Sequence, residues 1–379
     1  MTRSTGPGVL DEEYRLLRHE VAAAPVQRQA VLVEGPDASS YLQGQCSQDV
    51  VSLAAGASAD ALLLSPQGKL DALVRVTRSG PERFVVDVDA GFADVVVARL
   101  QRFRLRVKVA IELLPWHCVA LRGPAAAAAA APGSEVGGGG IAIAFDWNGV
   151  TGVDLLGPGP VVPSDVPVAG PEAWSAVRVE AGIPLMGAEL DDRTIAAEAD
   201  LLDRAVSFTK GCYTGQELVA RLDARGNRVA RRLRGLVLPD VEDPGGATGG
   251  DRSPGGDQRG PRPGDGVAVD GRDVGRVTSV AWSPVLGCAV ALAYVHRSVE
   301  PPAAAAVCPP ADQAVAALAP DAAVAGSGAV APDAAVAGSG AVARDAAVAR
   351  GTAVAGDGTG GGTPGQRAEV RALPLVGPG

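Results

Sequence analysis

The chain has 379 residues, a formal net charge of -9, and an apolar fraction of 47% in which aromatic residues are only 3% of the chain. That length allows two or three compact units. The acidic balance argues against non-specific binding to nucleic acid or to an anionic membrane, so neither direct DNA binding nor a membrane partner is expected.

Five widely spaced cysteines (Cys46, Cys118, Cys212, Cys288, Cys308) include no C-x-x-C pair, and histidine is confined to His19, His117 and His296. This sets aside a disulfide framework, a metal site and a His-driven hydrolase, and a reducing cytoplasm is the expected location. The stretch Met1 to Glu13 lacks a basic region leading into an apolar one, and no apolar run is long and bulky enough to span a bilayer.

Residues 1–24 read as an N-terminal extension. Ala30 to Val33 is a short strand, and Asp37 caps a helix through Tyr41 and Leu42. Ala61 to Leu64 and Leu70 to Thr77 are strands joined by the turn Ser65-Pro66-Gln67-Gly68. Arg83 to Val88 follows a turn at Gly80-Pro81. Asp89 then caps a helix whose apolar face is Phe92, Val96, Leu100 and Phe103, and Arg106 to Leu113 is the next strand. Residues 124–140, polyalanine followed by glycines, read as a low-complexity insert. A further helix starts at Pro171 after Gly170 and ends near Gly182. Residues 25–232 thus form two α+β lobes.

From Leu233 the pattern changes to short strands between glycine turns: Leu236 to Leu238, Gly266 to Val269, Gly275 to Val280 and Val290 to Val295. We expect residues 233–300 to form an all-β barrel carrying an insert at 239–263. Residues 301–366 contain a twelve-residue repeat, Pro320 to Ala331 and again Pro332 to Ala343, then a decayed copy from Arg344. Such repeats lack large side chains and cannot offset an ordering cost of roughly 1–2 kcal/mol per residue, so this tract is expected to be disordered, a solenoid being the rival. Residues 367–379 are expected to return a last strand, Ala368 to Pro374, to the barrel.

Four stretches could carry chemistry. In Lys210-Gly-Cys-Tyr-Thr-Gly-Gln-Glu217, Thr214 and Glu217 have the spacing of a capping box. That would put Cys212 just before a helix N-terminus with Lys210 beside it, both favouring a thiolate. The alternative is a small cysteine packed under a turn. In Arg178-Val-Glu-Ala-Gly-Ile-Pro184, Glu180 sits in the last turn of a helix, where a negative charge is unfavourable. A carboxylate can accept two parallel N–H bonds from an aminopyrimidine edge, although an exposed glutamate paired with an arginine would look the same. Arg221, Arg225, Arg228, Arg231, Arg232 and Arg234 form a basic run suited to a polyanionic tail, or equally a solvated face paired with Glu217 and Asp223. Finally, Ser65-Pro-Gln-Gly-Lys-Leu-Asp71 places an acid just past a tight turn, as a plain hairpin also would.

In this order the motifs resemble the YgfZ family of folate-binding proteins. The matching stretches are Tyr41-Leu-Gln-Gly-Gln-Cys-Ser-Gln-Asp49, Leu64-Ser-Pro-Gln-Gly-Lys69, Arg178 to Pro184, Lys210 to Glu217, and Gly275-Arg-Val-Thr-Ser279 with Ser283-Pro284 and Leu286-Gly287. They cover roughly residues 25 to 300 and the last dozen. That family is similar to the T-protein of the glycine cleavage system, an aminomethyltransferase that uses tetrahydrofolate. The resemblance implies an α+β fold of three lobes around a folate channel, the last a β-barrel. It implies tetrahydrofolate or a derivative as cofactor, Glu180 as the reader of the pterin ring, and Asp71, Arg178, Lys210 and Arg232 as further folate-binding candidates. Asp71 falls near the T-protein's acidic pair, but Ala72 follows it, and the motif cysteine is a YgfZ feature. The implied role is support of iron–sulfur cluster assembly or repair, including the cluster enzymes that modify tRNA, with Cys212 as the reactive group and iron–sulfur proteins as clients. Aminomethyl transfer is the alternative.

Overall fold

The computed structural model describes residues 8–241, 260–310 and 365–377. The chain opens with helix α1 (Val9–His19), then β1 (Ala22–Ala24), β2 (Arg28–Glu34), α2 (Ala38–Gln45), β3 (Ser58–Leu64), β4 (Leu70–Gly80), β5 (Arg83–Asp89), α3 (Ala93–Arg102) and β6 (Ala110–Leu114). Strands β2 to β6 make an antiparallel sheet in the order β3-β4-β5-β2-β6. Its alternation is the reason for its two faces. Val31, Val33, Val74, Val76, Phe84, Val86 and Val88 turn one way into the main core, where Val96 and Leu100 of α3 cover them.

The opposite face carries Arg75 and Asp87, and meets a second sheet. That sheet is built from β7 (His117–Arg122), a short helix α4 (Ala126–Ala129), β8 (Glu135–Val136), β9 (Gly140–Trp147) and β10 (Val150–Gly157), with strand order β1-β7-β10-β9-β8. A buried chain of charges joins the two sheets. Arg75 donates to both oxygens of Asp87 at 3.0 Å and to Asp154 at 2.7 Å; Arg122 donates to Asp154 at 2.6 Å, and Arg28 pairs with Asp87 and Asp89. Unpaired, any of these would carry a heavy desolvation cost. The arginines around Asp154 hold its carboxyl far below the usual carboxylate range despite its burial.

Helix α5 (Pro171–Ala181) follows, then a single 3-10 turn (Ala196–Glu198), α6 (Leu202–Ala205) and α7 (Gln216–Asp223). The last strands are β11 (Arg231–Leu238), β12 (Gly266–Val269), β13 (Arg272–Ser283), β14 (Cys288–His296), β15 (Ala303–Cys308) and β16 (Gln366–Arg371), which close a barrel in the order β11-β14-β13-β12-β15-β16. Leu236, Val267, Val277, Ala291, Ala293, Val307 and Val370 form its separate core. Closure leaves no free strand edge. Strand β16 closes it, pairing with β11 on one side and β15 on the other; it spans Gln366–Arg371, where the alternation predicts Ala368 to Pro374.

Four expectations need correction. The stretch read as an N-terminal extension contains α1, whose Tyr14 and Leu17 are buried against the main core. The low-complexity tract begins too early, because Ala303–Cys308 is β15; alanine has little strand preference of its own, and the ladders to β12 and β16 impose the conformation. The insert at 124–140 also supplies structure: Ala126 is buried, and β8 pairs with β9. Asp89 does not cap α3, whose N-cap is Phe92; its carboxylate accepts from Arg28 and from the Met186 backbone instead. The chain divides into one unit, Met1–Pro309 with Gly365–Gly379, and a second, Pro310–Pro364. All of the second except Pro310 lies outside the described residues, and with it most of the tract expected to be disordered, as does most of the insert at 239–263.

Candidate functional site

Cys212 is exposed on a loop that other motif residues pin down from below. The Lys210 ammonium donates to the carbonyls of Gln43, Cys46 and Gln48 at 2.6, 2.6 and 3.0 Å. These carbonyls close the end of α2, where backbone acceptors lack helical partners and favour a cation. Burial pulls the Lys210 pKa down, against the pull of Cys46 and Asp49. Backbone bonds from Thr214 to Gly44 and from Ser207 to Ser47, at 3.1 and 3.0 Å, complete the clamp. Lys210 therefore serves the loop's anchorage, and its charge is committed to carbonyls.

The expected capping box does not form. Helix α7 begins at Gln216 with Gly215 as its N-cap and no side-chain cap, and the Gln216 side chain accepts from the Tyr213 backbone at 3.0 Å. Gly215 occupies this place for a packing reason. At φ 83 a Cβ there would lie 2.5 Å from the Ser65 carbonyl, and one on Gly68 would lie 2.5 Å from Leu218 Cβ. The Ser65–Gly68 turn and the start of α7 are thus in backbone contact, which only glycine permits.

Asp71 lies behind that turn. Its carboxylate accepts from Arg99 Nε at 3.0 Å, and Arg99 also donates to Gln45 at 2.9 Å and to the Leu64 carbonyl at 3.0 Å. The guanidinium stacks 4.1 Å from the centre of the Phe103 ring. Burial raises the Asp71 pKa against the pull of Arg99, and lowers that of Arg99. Arg99 joins residues 45, 64 and 71 and was not among the sequence candidates. It sits on the buried side of α3 between Val96 and Leu100, a position that periodicity assigns to packing. The next residue after Asp71, Ala72, is fully buried.

Glu180 forms a second cluster. It is fully buried, and each carboxylate oxygen accepts one hydroxyl: Oε1 from Ser283 at the end of β13 and Oε2 from Tyr14 of α1, both at 2.6 Å. Burial pushes its pKa up, against the two hydroxyls and the charge of Arg18. Its backbone carbonyl accepts from Leu375 at 2.6 Å. Neither Tyr14 nor Ser283 was singled out from sequence as a partner of Glu180. Tyr14 had a signal, since Leu10, Tyr14 and Leu17 share one helical face.

Arg178 and Arg232 stand apart from these residues. Arg178 pairs with buried Glu189 at 3.1 Å and donates to the Ile183 carbonyl at 2.9 Å, while Glu189 accepts from Ser279 of the barrel at 2.6 Å. Arg178 thus ties α5 to the turn after it and to β13. Arg232 donates to the Asn227 carbonyl at 2.7 Å, and burial, with the Arg232 charge second, lowers the pKa of Arg234. The basic run is divided: Arg231 pairs with Glu198 at 3.2 Å, and among the described residues no ion pair joins Arg221, Arg225 or Arg228 to Glu217 or Asp223. The structure therefore brings Lys210, Cys212 and Asp71 into linked segments, and keeps Glu180 with α1 and the barrel. No three His, Cys, Asp or Glu side chains among the described residues are grouped to share a metal ion, and no helix among them is long and apolar enough to cross a membrane.

Residues 5–136 match the model of the GCVT N-terminal domain, and residues 254–319 match that of the glycine cleavage T-protein C-terminal barrel domain. An aminomethyltransferase of Rubrobacter xylanophilus is 30% identical over 299 residues, 71% of this chain and 74% of that one. The tRNA-modifying protein YgfZ of Klebsiella pneumoniae is 28% identical over 224 residues, 51% of this chain and 64% of the relative. A mitochondrial iron–sulfur cluster assembly factor IBA57 homolog of Chaetomium globosum is 30% identical over 249 residues, 58% and 56% of the two chains. The crystal structure of the glycine cleavage system aminomethyltransferase T from Bartonella henselae superposes with a TM-score of 0.66 at 19% identity, covering 98% of this chain and 90% of that one.

Proposed function

The chain belongs to the glycine cleavage T-protein family, and from that premise we propose that it is a protein of the YgfZ type that binds a reduced folate and supports assembly or repair of iron–sulfur clusters in client enzymes, those that modify tRNA included. The observation that carries this reading is the junction of three segments, 41–49, 64–71 and 210–217, which together hold one exposed thiol, Cys212, above a hydrogen-bonded base. A group meant to meet a client must be presented at the surface and supported from beneath.

The folate half of the proposal rests on Glu180. A carboxylate has about four lone-pair sites. Tyr14 and Ser283 use one on each oxygen, which leaves enough acceptor sites for the two N–H groups of an aminopyrimidine edge whether or not the Tyr14 hydroxyl stays in place. Tetrahydrofolate or a derivative fits that acceptor pair. Arg178 would act by holding the turn that follows α5, and Arg232, with Arg234 beside it, offers positive charge to a carboxylate tail. Asp71 is neutralised by Arg99 and is followed by buried Ala72, an arrangement that disfavours an acid pair working on an aminomethyl group.

The test separates the two chemistries. A Cys212→Ser chain should keep its folate affinity and lose support of iron–sulfur enzyme activity in cells lacking the wild-type protein. Robust turnover of the purified wild-type chain in a glycine-cleavage assay with lipoylated carrier protein would overturn the proposal in favour of aminomethyl transfer.

A further inference from the structure

Three parts of the chain that are distant in sequence close over Glu180. Helix α1 contributes the Tyr14 hydroxyl, the end of β13 contributes Ser283, and the C-terminal segment contributes the Leu375 N–H, which binds the Glu180 carbonyl. The first and third are also tied to each other, since Arg18 of α1 donates to the Gly377 carbonyl at 2.7 Å. Leu373 packs where a Cβ on Gly182 would stand, 2.7 Å from its Cδ1. As a result the carboxylate is fully buried, and a ligand cannot reach it in this arrangement.

We propose that Tyr14 and residues 372–377 form a latch over Glu180, with the Tyr14 hydroxyl occupying the carboxylate in the closed state and giving way when a ligand with two adjacent N–H donors takes its place. The proposal rests on the folate reading and adds a conformational step to it. A neutral hydroxyl is a suitable stand-in because it satisfies a buried carboxylate without the permanence of a guanidinium pair. The tail is the part that must move with the Tyr14 side chain. It is held by the Leu375 N–H bond, the Arg18 contact, and the packing of Leu373 and Leu375 against Gly182 and Gly235. Helix α1 is held more firmly, with Glu13 accepting from the Gly170 backbone at 2.7 Å, so release needs only the Tyr14 side chain and the tail to shift.

The latch makes the open state a minor one, and apparent affinity falls by the fraction that is open. Weakening the closed state should therefore tighten binding. The experiment titrates the full chain and its Tyr14→Phe variant with 5-formyltetrahydrofolate, and follows amide hydrogen exchange in residues 372–377 of the wild type with and without that folate. A Kd roughly tenfold or more lower for Tyr14→Phe, the range expected for loss of a hydrogen bond to a charged group, supports the latch. So does faster exchange in 372–377 of the saturated wild type. Equal affinities together with unchanged exchange, the folate being bound in both, overturn the latch and leave the folate reading standing. Failure of both chains to bind overturns the folate reading and the latch with it.

Discussion

The hydroxyl of Tyr14 donates to Oε2 of Glu180 at 2.6 Å across 166 residues of sequence, so the first helix of the chain determines the surroundings of a carboxylate in the fifth. Those surroundings are dry. Burial raises the Glu180 pKa above its ordinary value of 4.5. A carboxyl raised in this way keeps its proton in the native state at pH values where the unfolded chain has already lost it. Its contribution to stability therefore falls as pH climbs from 4.5 through the folded value. Glu180→Gln removes that titration. The wild type should lose stability relative to the variant between pH 4.5 and neutrality, as read from urea midpoints at the two ends of the range. A difference that does not move with pH would contradict the burial.

Alkylation should discriminate among the five cysteines by exposure. Burial pushes Cys46 and Cys118 up to about 12 and raises Cys288 and Cys308 as well, whereas Cys212 is exposed. Brief treatment with iodoacetamide at neutral pH, followed by peptide mapping, should label Cys212 first. Labelling of Cys46 at a comparable rate would mean that the clamp around α2 opens readily.

Lys210→Met tests that clamp. The variant keeps much of the side chain's bulk and leaves three carbonyls of the Gln43–Gln48 segment without their donor. A loss of about 1.5–3 kcal/mol is expected, the scale of hydrogen bonds to a charged group. Hydrogen exchange should quicken in residues 205–216. A variant as stable as the wild type would show that the ammonium is not what holds the loop.

Two glycines at nearly the same backbone angle separate conformation from packing. Gly56 has φ 79 and nothing within 4 Å of its would-be Cβ, whereas Gly215 has φ 83 and the Ser65 carbonyl 2.5 Å away. Gly56→Ala should cost only the left-handed conformation, about 1–2 kcal/mol. Gly215→Ala should cost distinctly more, because the turn and α7 must also part. Equal losses in chemical denaturation would argue against the backbone contact between the motifs.

The parts of this architecture legible in sequence are those with local chemistry. Glycine and proline marked the Ser65–Gly68 turn and the start of α5, and period-two alternation marked the barrel, including β16 beyond the repeat tract. What escaped was non-local. Ala303–Cys308 is a strand because β12 and β16 flank it, and six residues dominated by alanine announce nothing on their own. Arg99 lies on a helix face that reads as apolar, and only the fold brings Asp71, Gln45 and Leu64 to it. For Glu180 the sequence allows a pterin or an exposed arginine pair, whereas the fold supplies two hydroxyls, from α1 and from the end of β13. Thr214 has the spacing of a cap, yet the N-cap is Gly215, in close contact with Gly68, and α7 begins at Gln216.

The central claim is that Glu180 reads a reduced folate, and isothermal titration of the full chain with 5-formyltetrahydrofolate tests it most directly. Wild type and Cys212→Ser should bind with equal affinity, and Glu180→Gln should bind about 10- to 100-fold more weakly, because one acceptor becomes a donor facing the ligand's own N–H groups. Binding by Glu180→Gln as tight as that of the wild type, or no binding by the wild type, would contradict the claim.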